Sequence, residues 1–300
     1  MAERHTRPAL PVARDLTAIG ANIWIWESPI TDRAIAEVAP RVKELGFDLI
    51  ELPIEEPGQW DPDRAAELLG DLGLAAGICC VMPPGRDLAV DDDEVVRGTG
   101  EYLRHCVDVA ARLGSGVVAG PMYAAVGRLW RLEQDERPAV LARVAAGLAP
   151  VAELAAECGV KLAIEPLNRY ETSLINTVEQ GLELLAAVDS PACGLLLDSF
   201  HMNVEEKDPA AAARAAGDRI AHVHACGTDR GSPGADSFRW PEFLAALKDA
   251  GYVGPMSIES FTAANEVIAT AASIWRPLAA SPDALAADGL AFLRSALADR

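Results

Sequence analysis

Residues 161–198 decide the fold: Lys161-Leu-Ala-Ile-Glu165-Pro166 opens the stretch, Gly194-Leu-Leu-Leu-Asp198 closes it, and Thr177–Val188 lies between. The two outer runs have the length and the Leu/Ile content of buried strands, and the middle segment repeats its apolar residues at helical spacing. A strand, a helix and a second strand in close succession form the crossover unit of a parallel sheet.

The same unit recurs in both directions. Further strand candidates are Ala18–Trp26, Leu49–Ile54, Ala75–Met82, Gly116–Met122, Ile220–Ala225 and Met256–Phe261. Amphipathic helices are expected near Asp32–Leu45, Asp61–Leu72, Asp92–Leu113, Glu136–Cys158, Pro209–Ala216, Trp240–Ala250 and Ala284–Leu297. Thr31 or Asp32 and the pair Asp61-Pro62 read as helix starts, and Gly46, Gly73, Gly114, Gly159 and Gly251 read as stops. The acidic run Asp91-Asp-Asp-Glu94 opens the third helix, where carboxylates meet the positive end of the helix dipole.

Eight units with each strand ahead of its helix specify an α/β protein, a single (β/α)₈ TIM barrel, over an open doubly wound sheet. The G-x-G-x-x-G turn of a dinucleotide-binding sheet is also missing after the first strand. Residues 18–300 are read as one barrel domain and residues 1–17 as a flexible leader. The helix-poor stretch Thr262–Asp283, with Trp275-Arg276-Pro277, falls after the eighth strand and is expected to cover the rim as a loop.

Half of the 300 residues are hydrophobic and the formal net charge is −19. That charge repels phosphodiester backbones and weighs against nucleic acid as a partner. Cys79, Cys80, Cys106, Cys158, Cys193 and Cys226 lack the paired spacing of a disulfide framework or zinc knuckle, which suits a reducing, cytoplasmic setting. There is no signal-peptide pattern near the start, and no uninterrupted apolar run of about 18 residues, so no membrane association is expected.

Chemistry in such a barrel sits where strands end. Glu165, Asp198, His224 and Glu259 end the fifth to eighth strand candidates, each after a run of mainly apolar residues. A carboxylate so placed is costly without a partner. Closure of the barrel would bring the four groups together, and one divalent cation would neutralise most of their repulsion. Two Glu, one Asp and one His make an oxygen-rich set suited to Mn²⁺, Co²⁺ or Mg²⁺ more than to structural zinc. Trp26 and Tyr123 stand near the ends of the first and fourth strands, where an aromatic face could line a sugar pocket or equally fill the core; Trp24 is assigned to packing. His222, two residues before His224, faces the same side of its strand and reads as a supporting residue behind the site.

Four strings carry a resemblance: Ile164-Glu-Pro-Leu-Asn-Arg-Tyr-Glu171, Leu197-Asp-Ser-Phe-His-Met-Asn-Val-Glu-Glu206, His222-Val-His-Ala-Cys-Gly-Thr-Asp-Arg-Gly231 and Ile258-Glu-Ser-Phe261. They resemble the D-tagatose/D-psicose (allulose) 3-epimerase family of the xylose-isomerase-like barrels. The similarity runs from Gly20 onward and is sharpest in the second half. It implies that Glu165, Asp198, His224 and Glu259 hold one divalent metal ion per chain, with Glu165 and Glu259 doubling as the acid/base pair. It further implies that Glu171, His201 and Arg230 hold sugar oxygens; Trp26, Tyr123 and Phe261 are further candidate substrate contacts. The expected partner is a free ketose, and the expected assembly is a homodimer or homotetramer. Gly227 departs from the acidic residue that many members carry there, which bears on sugar specificity and not on the metal.

Epimerisation next to a ketone requires proton removal on one face and delivery on the other, through an enediolate, and two carboxyl groups suit that better than one. The closest alternative keeps the barrel and metal but isomerises an aldose–ketose, hydroxypyruvate or inosose substrate. Phosphodiester cleavage conflicts with the acidity of the chain. A non-catalytic sugar-binding barrel leaves both glutamates unexplained.

Overall fold

In the computed structural model, which describes residues 18–133 and 135–298, all eight expected strands form. The expected leader, residues 1–17, lies outside the described residues. The strands are β1 (Ile19–Asn22), β2 (Leu49–Ile54), β3 (Ala75–Cys80), β4 (Val117–Gly120), β5 (Lys161–Ile164), β6 (Cys193–Asp198), β7 (Ile220–Ala225) and β8 (Met256–Ile258). Each pairs in parallel with the next, and β8 returns to β1, closing a (β/α)₈ barrel.

Around it lie α1 (Asp32–Leu45), α2 (Pro62–Leu72), α3 (Asp93–Leu113), α4 (Arg137–Cys158), α5 (Val178–Val188), α6 (Ser199–Glu205), α7 (Pro209–Ala216), α8 (Trp240–Asp249), α9 (Glu266–Ala271) and α10 (Pro282–Ala298). The first two caps are those read from the sequence, and two more join them. Thr31 accepts from the Ala34 amide, Asp61 from those of Asp63 and Arg64, and Thr177 forms a reciprocal capping box with Gln180. Asp92, in the acidic run, accepts from the amides of Glu94 and Val95 and starts α3.

Three of the departures from expectation have local reasons. β1 stops at Asn22, because its side-chain oxygen accepts from the Trp24 amide at 3.0 Å and turns Ile23–Ile25 into a single 3-10 turn. α6 is only seven residues long, too short to show a period in sequence. The stretch after β8 contains α9, capped by Asn265, and ties itself to the adjacent turn after β1: Asn265 Nδ2 donates to the Trp24 carbonyl at 3.0 Å and Thr262 Oγ1 to that of Ile25 at 3.2 Å.

α4 matches a membrane span in length and apolarity, at 22 residues with a mean hydropathy of 1.6. It is interrupted by Arg143 and Glu153, packs between α3 and α5, and buries Val144, Leu148, Val151 and Ala155.

Alternation along the strands separates two apolar layers and thereby sets the site. Leu162, Ile164, Leu195, Leu197, Val223 and Ile258 belong to the large core between barrel and helices. Ala163 and Leu196, the residues between them, join Cys79 and Ala119 in a smaller cluster inside the barrel. The period of two then turns Glu165, Asp198, His222, His224, Ser257 and Glu259 inward as well. Asp198 lies in register with His224, and His224 with Ser257.

Candidate metal centre

Four side chains from consecutive strand ends meet at the carboxyl end of the barrel. One ligand atom each from Glu165, Asp198, His224 and Glu259 lies within 4.8 Å of all the others, and all four residues are buried. His224 Nδ1 is 3.3 Å from Glu259 Oε2 and 4.0 Å from Asp198 Oδ2. Glu165 Oε1 and His224 Nδ1 are enclosed yet make no hydrogen bond. Buried polar atoms are nearly always satisfied, so two orphans turned into one acidic cluster suit a cation. The donor set, three carboxylates and an imidazole, fits Mn²⁺, Co²⁺ or Mg²⁺ by the same chemistry.

The ligands are not held alike. Asp198 is also the N-cap of α6: Oδ1 accepts from the Phe200 amide at 2.6 Å and the His201 amide at 3.3 Å, leaving Oδ2 for the site. The short helix returns His201 to the cavity, where Nδ1 accepts from the Asn168 amide at 3.0 Å and Nε2 lies 3.6 Å from Glu165 Oε1. Arg230 reaches in after β7 and donates to Asp198 Oδ2 at 2.8 Å and to Glu259 Oε2 at 3.4 Å, with its second terminal nitrogen 2.9 Å from His201 Nε2. Its guanidinium lies 4.2 Å from the Phe200 ring centre and 5.0 Å from that of Phe261. Its backbone adopts φ 68°, an uncommon state for a residue with a Cβ and one often found at functional sites. Glu171 stands at the edge of the site and accepts from Asn168 Nδ2 at 2.7 Å.

The charges do not settle alike. Burial pushes the Glu165 carboxyl well above the ordinary range, and Glu259 and Asp198 push it further. Burial acts on Asp198 in the same sense, but Arg230, His201 and His224 more than reverse it and hold that carboxyl down. Burial followed by Arg230 depresses His201, favouring its neutral form. His224 is raised despite its burial, because Glu259 and Glu51 face it.

Trp26, Tyr123 and Phe261 part company. Phe261 is at the site, against Arg230. Trp26 is 8% exposed within the main core, and its indole N–H donates to Asp283 Oδ1 at 2.7 Å at the start of α10. Tyr123 is fully buried, donates to the Ile175 carbonyl at 3.0 Å and accepts from the Leu167 amide at 3.3 Å, bracing the loop after β5. The structure thus gives both to packing and brings neither to the cluster. Trp24, assigned to packing, is the partly exposed tryptophan: its ring centre is 6.4 Å from that of Phe261, and its N–H donates to Glu55 Oε1 at 2.9 Å.

Sequence reasoning passed over Glu51. It lies on β2, fully enclosed, and its carboxylate meets His222 Nε2 through Oε1 and His224 Nε2 through Oε2, the latter at 3.1 Å. The signal was available, since Leu49-Ile-Glu-Leu-Pro-Ile54 sets a carboxylate inside a wholly buried strand.

A family model described as xylose isomerase-like TIM barrel matches residues 39–296. The chain is 38% identical over 275 residues to a protein of Synechocystis sp. named "Probable ketose 3-epimerase", covering 92% of this chain and 95% of that one. It is 33% identical over 283 residues to the ketose 3-epimerase of Arthrobacter globiformis, with 93% and 96% covered. Among solved structures, D-allulose 3-epimerase from Methylomonas sp. in complex with D-allulose superposes with a TM-score of 0.86 at 30% identity, covering 96% of this chain and 98% of the other.

Proposed function

The chain belongs to the ketose 3-epimerases of the xylose isomerase-like TIM barrel family, and on that premise we propose that it inverts carbon 3 of a free ketose at a single divalent cation held by Glu165, Asp198, His224 and Glu259. The observation that carries this reading is the convergence of those four ligand atoms within 4.8 Å, two of them otherwise without a hydrogen bond. Bound there, the cation would act as a Lewis acid on the ketone and the neighbouring hydroxyl, lowering the barrier to removing the proton from the carbon that bears that hydroxyl.

The remaining work falls to the chain. Glu165 and Glu259 enter from β5 and β8 and are suited to flank a sugar held between them. One accepts the proton of carbon 3 and the other delivers a proton to the opposite face. Burial raises the Glu165 carboxyl in the metal-free chain, and cation binding favours its ionised form, which can accept a proton. Arg230, steadied by two aromatic rings, offers donors to sugar oxygens; neutral His201 and Glu171 add further polar contacts. Phe261 and Trp24 present an apolar wall beside them. A D-allulose, D-fructose, D-tagatose or L-ribulose type of substrate fits this arrangement. The net charge of −19 disfavours nucleic acid, and the six unpaired cysteines suit a cytoplasmic, reducing setting. The assembly in this reading is a homodimer or homotetramer.

The test is incubation of chelator-stripped and reconstituted protein with these four ketoses, with products separated by chromatography. The expected outcome is a 3-epimeric ketose, abolished by stripping and restored by Mn²⁺, Co²⁺ or Mg²⁺. An aldose product would favour the isomerase alternative, and full activity of metal-free protein would refute the metal centre.

A further inference from the structure

We propose that Glu51, on the inner wall of β2 behind His224, is a positioning residue for the metal centre: it fixes the His224 ring so that Nδ1 faces Asp198 and Glu259. The inference rests on the cation reading of the four-residue cluster and concerns how that cluster is built. β7 turns both His222 and His224 inward, with ring centres 5.2 Å apart at an interplanar angle of 83°. Glu51 receives both from β2, one through each carboxylate oxygen. An ionised carboxylate only accepts, so the His224 nitrogen facing it carries a proton, which leaves the other nitrogen as the one that would supply a lone pair to a cation. That other nitrogen, Nδ1, is buried without a hydrogen bond, as is Nδ1 of His222, and it is the His224 atom that faces Asp198 and Glu259. The acceptor behind the ring and the acidic cluster in front of it point the same nitrogen at the cation.

The surroundings of Glu51 are shaped for this carboxylate. Its neighbour in register on β3 is Gly77, where a Cβ would lie 2.6 Å from Glu51 Cγ. Cys79 Sγ donates to Glu51 Oε2 at 3.6 Å, and Asn22 Nδ2 lies 3.5 Å from both Glu51 Oε2 and Glu259 Oε1. Glu51, Cys79 and His224 could themselves be taken for a second cation site. Their facing atoms already hydrogen-bond to one another, unlike those of the upper cluster, so they form its support.

Glu51→Gln keeps the shape but turns a donor toward one of the two histidines. In chelator-stripped protein titrated with Mn²⁺ by calorimetry, it is expected to weaken binding about 10- to 100-fold. Gly77→Ala, which pushes on the Glu51 side chain and removes no polar group, should weaken it in the same direction. Against a His224→Gln background, Glu51→Gln should cost less than about threefold, because its effect runs through the ring it no longer meets. Unchanged Mn²⁺ affinity in Glu51→Gln, or equal losses in both backgrounds, would overturn the inference, since a merely structural role predicts the latter. Should the variants fail to fold, nitrogen-15 NMR of the Mg²⁺-loaded parent decides: Nε2–H on His224 supports the proposal and Nδ1–H refutes it. A parent chain that binds no divalent cation would sink the metal reading itself, and this inference with it.

Discussion

The two halves of the barrel share one strand geometry and put opposite chemistry on the inner wall. From β5 to β8 the inward residues at the strand ends are Glu165, Asp198, His224 and Glu259, which crowd charge at the mouth and leave two ligand atoms without a hydrogen bond. From β1 to β4 they are Asn22, Glu51, Cys79 and Ala119, set deeper, and the polar atoms of the first three are engaged with one another or with the histidines. One half is strained by its own charges and ready for a ligand; the other is satisfied and holds the first in place. A reactive site needs both, because groups poised for chemistry are poor at fixing one another.

The comparison would break most visibly at the two glutamates. Glu165→Gln and Glu259→Gln keep an oxygen for the cation but lose the base. Each should lower kcat for epimerisation by about 10²- to 10⁴-fold, while retaining more metal by elemental analysis than the corresponding alanine variants. Parental turnover in either glutamine variant would leave the reactive half with one working residue, and a one-base route would replace the two-sided transfer.

That half was legible in sequence for a physical reason. Each of its residues closes an apolar run, and an ionisable group at the end of a buried strand has few explanations besides a site. The barrel itself followed from the repeating strand–helix units, and the starts of α1 and α2 from Thr31 and Asp61. Glu51 sends a similar signal from the middle of its strand, at a level where side chains fill the barrel, and its partners on β7 come 171 and 173 residues later in the chain. Such pairing across a closed sheet has no sequence period. Trp26 and Tyr123 were left open between pocket and packing for another reason: ring and strand end alone do not say which way a side chain turns. The 3-10 turn after Asn22 sends the Trp24 indole to Glu55 and the Trp26 indole to Asp283.

A smaller effect sharpens the contrast through stability. A carboxyl whose folded-state pKa lies above its unfolded value supports folding below the unfolded value and loses that support as pH rises through the folded one. Glu165 is such a group in the metal-free chain. Metal-free Glu165→Gln should therefore melt above the metal-free parent at neutral and alkaline pH, with the difference shrinking as pH falls into the ordinary carboxylate range. Asp198 runs the other way: its contribution is present above its unfolded value and fades as pH falls through its depressed folded one. Melting curves across pH, with chelator present, check both signs. A Glu165→Gln advantage that grew toward acid pH would contradict the assignment.

The central claim is that protons leave and arrive on opposite faces of one carbon between Glu165 and Glu259. Its most direct test is to run the reaction of the metal-loaded parent with D-fructose or D-allulose in deuterated water and follow carbon 3 at low conversion. The account predicts solvent deuterium at carbon 3 of essentially every epimer formed and far less in the recovered substrate, because the donor differs from the acceptor. Epimer formed without solvent deuterium at that carbon would contradict it.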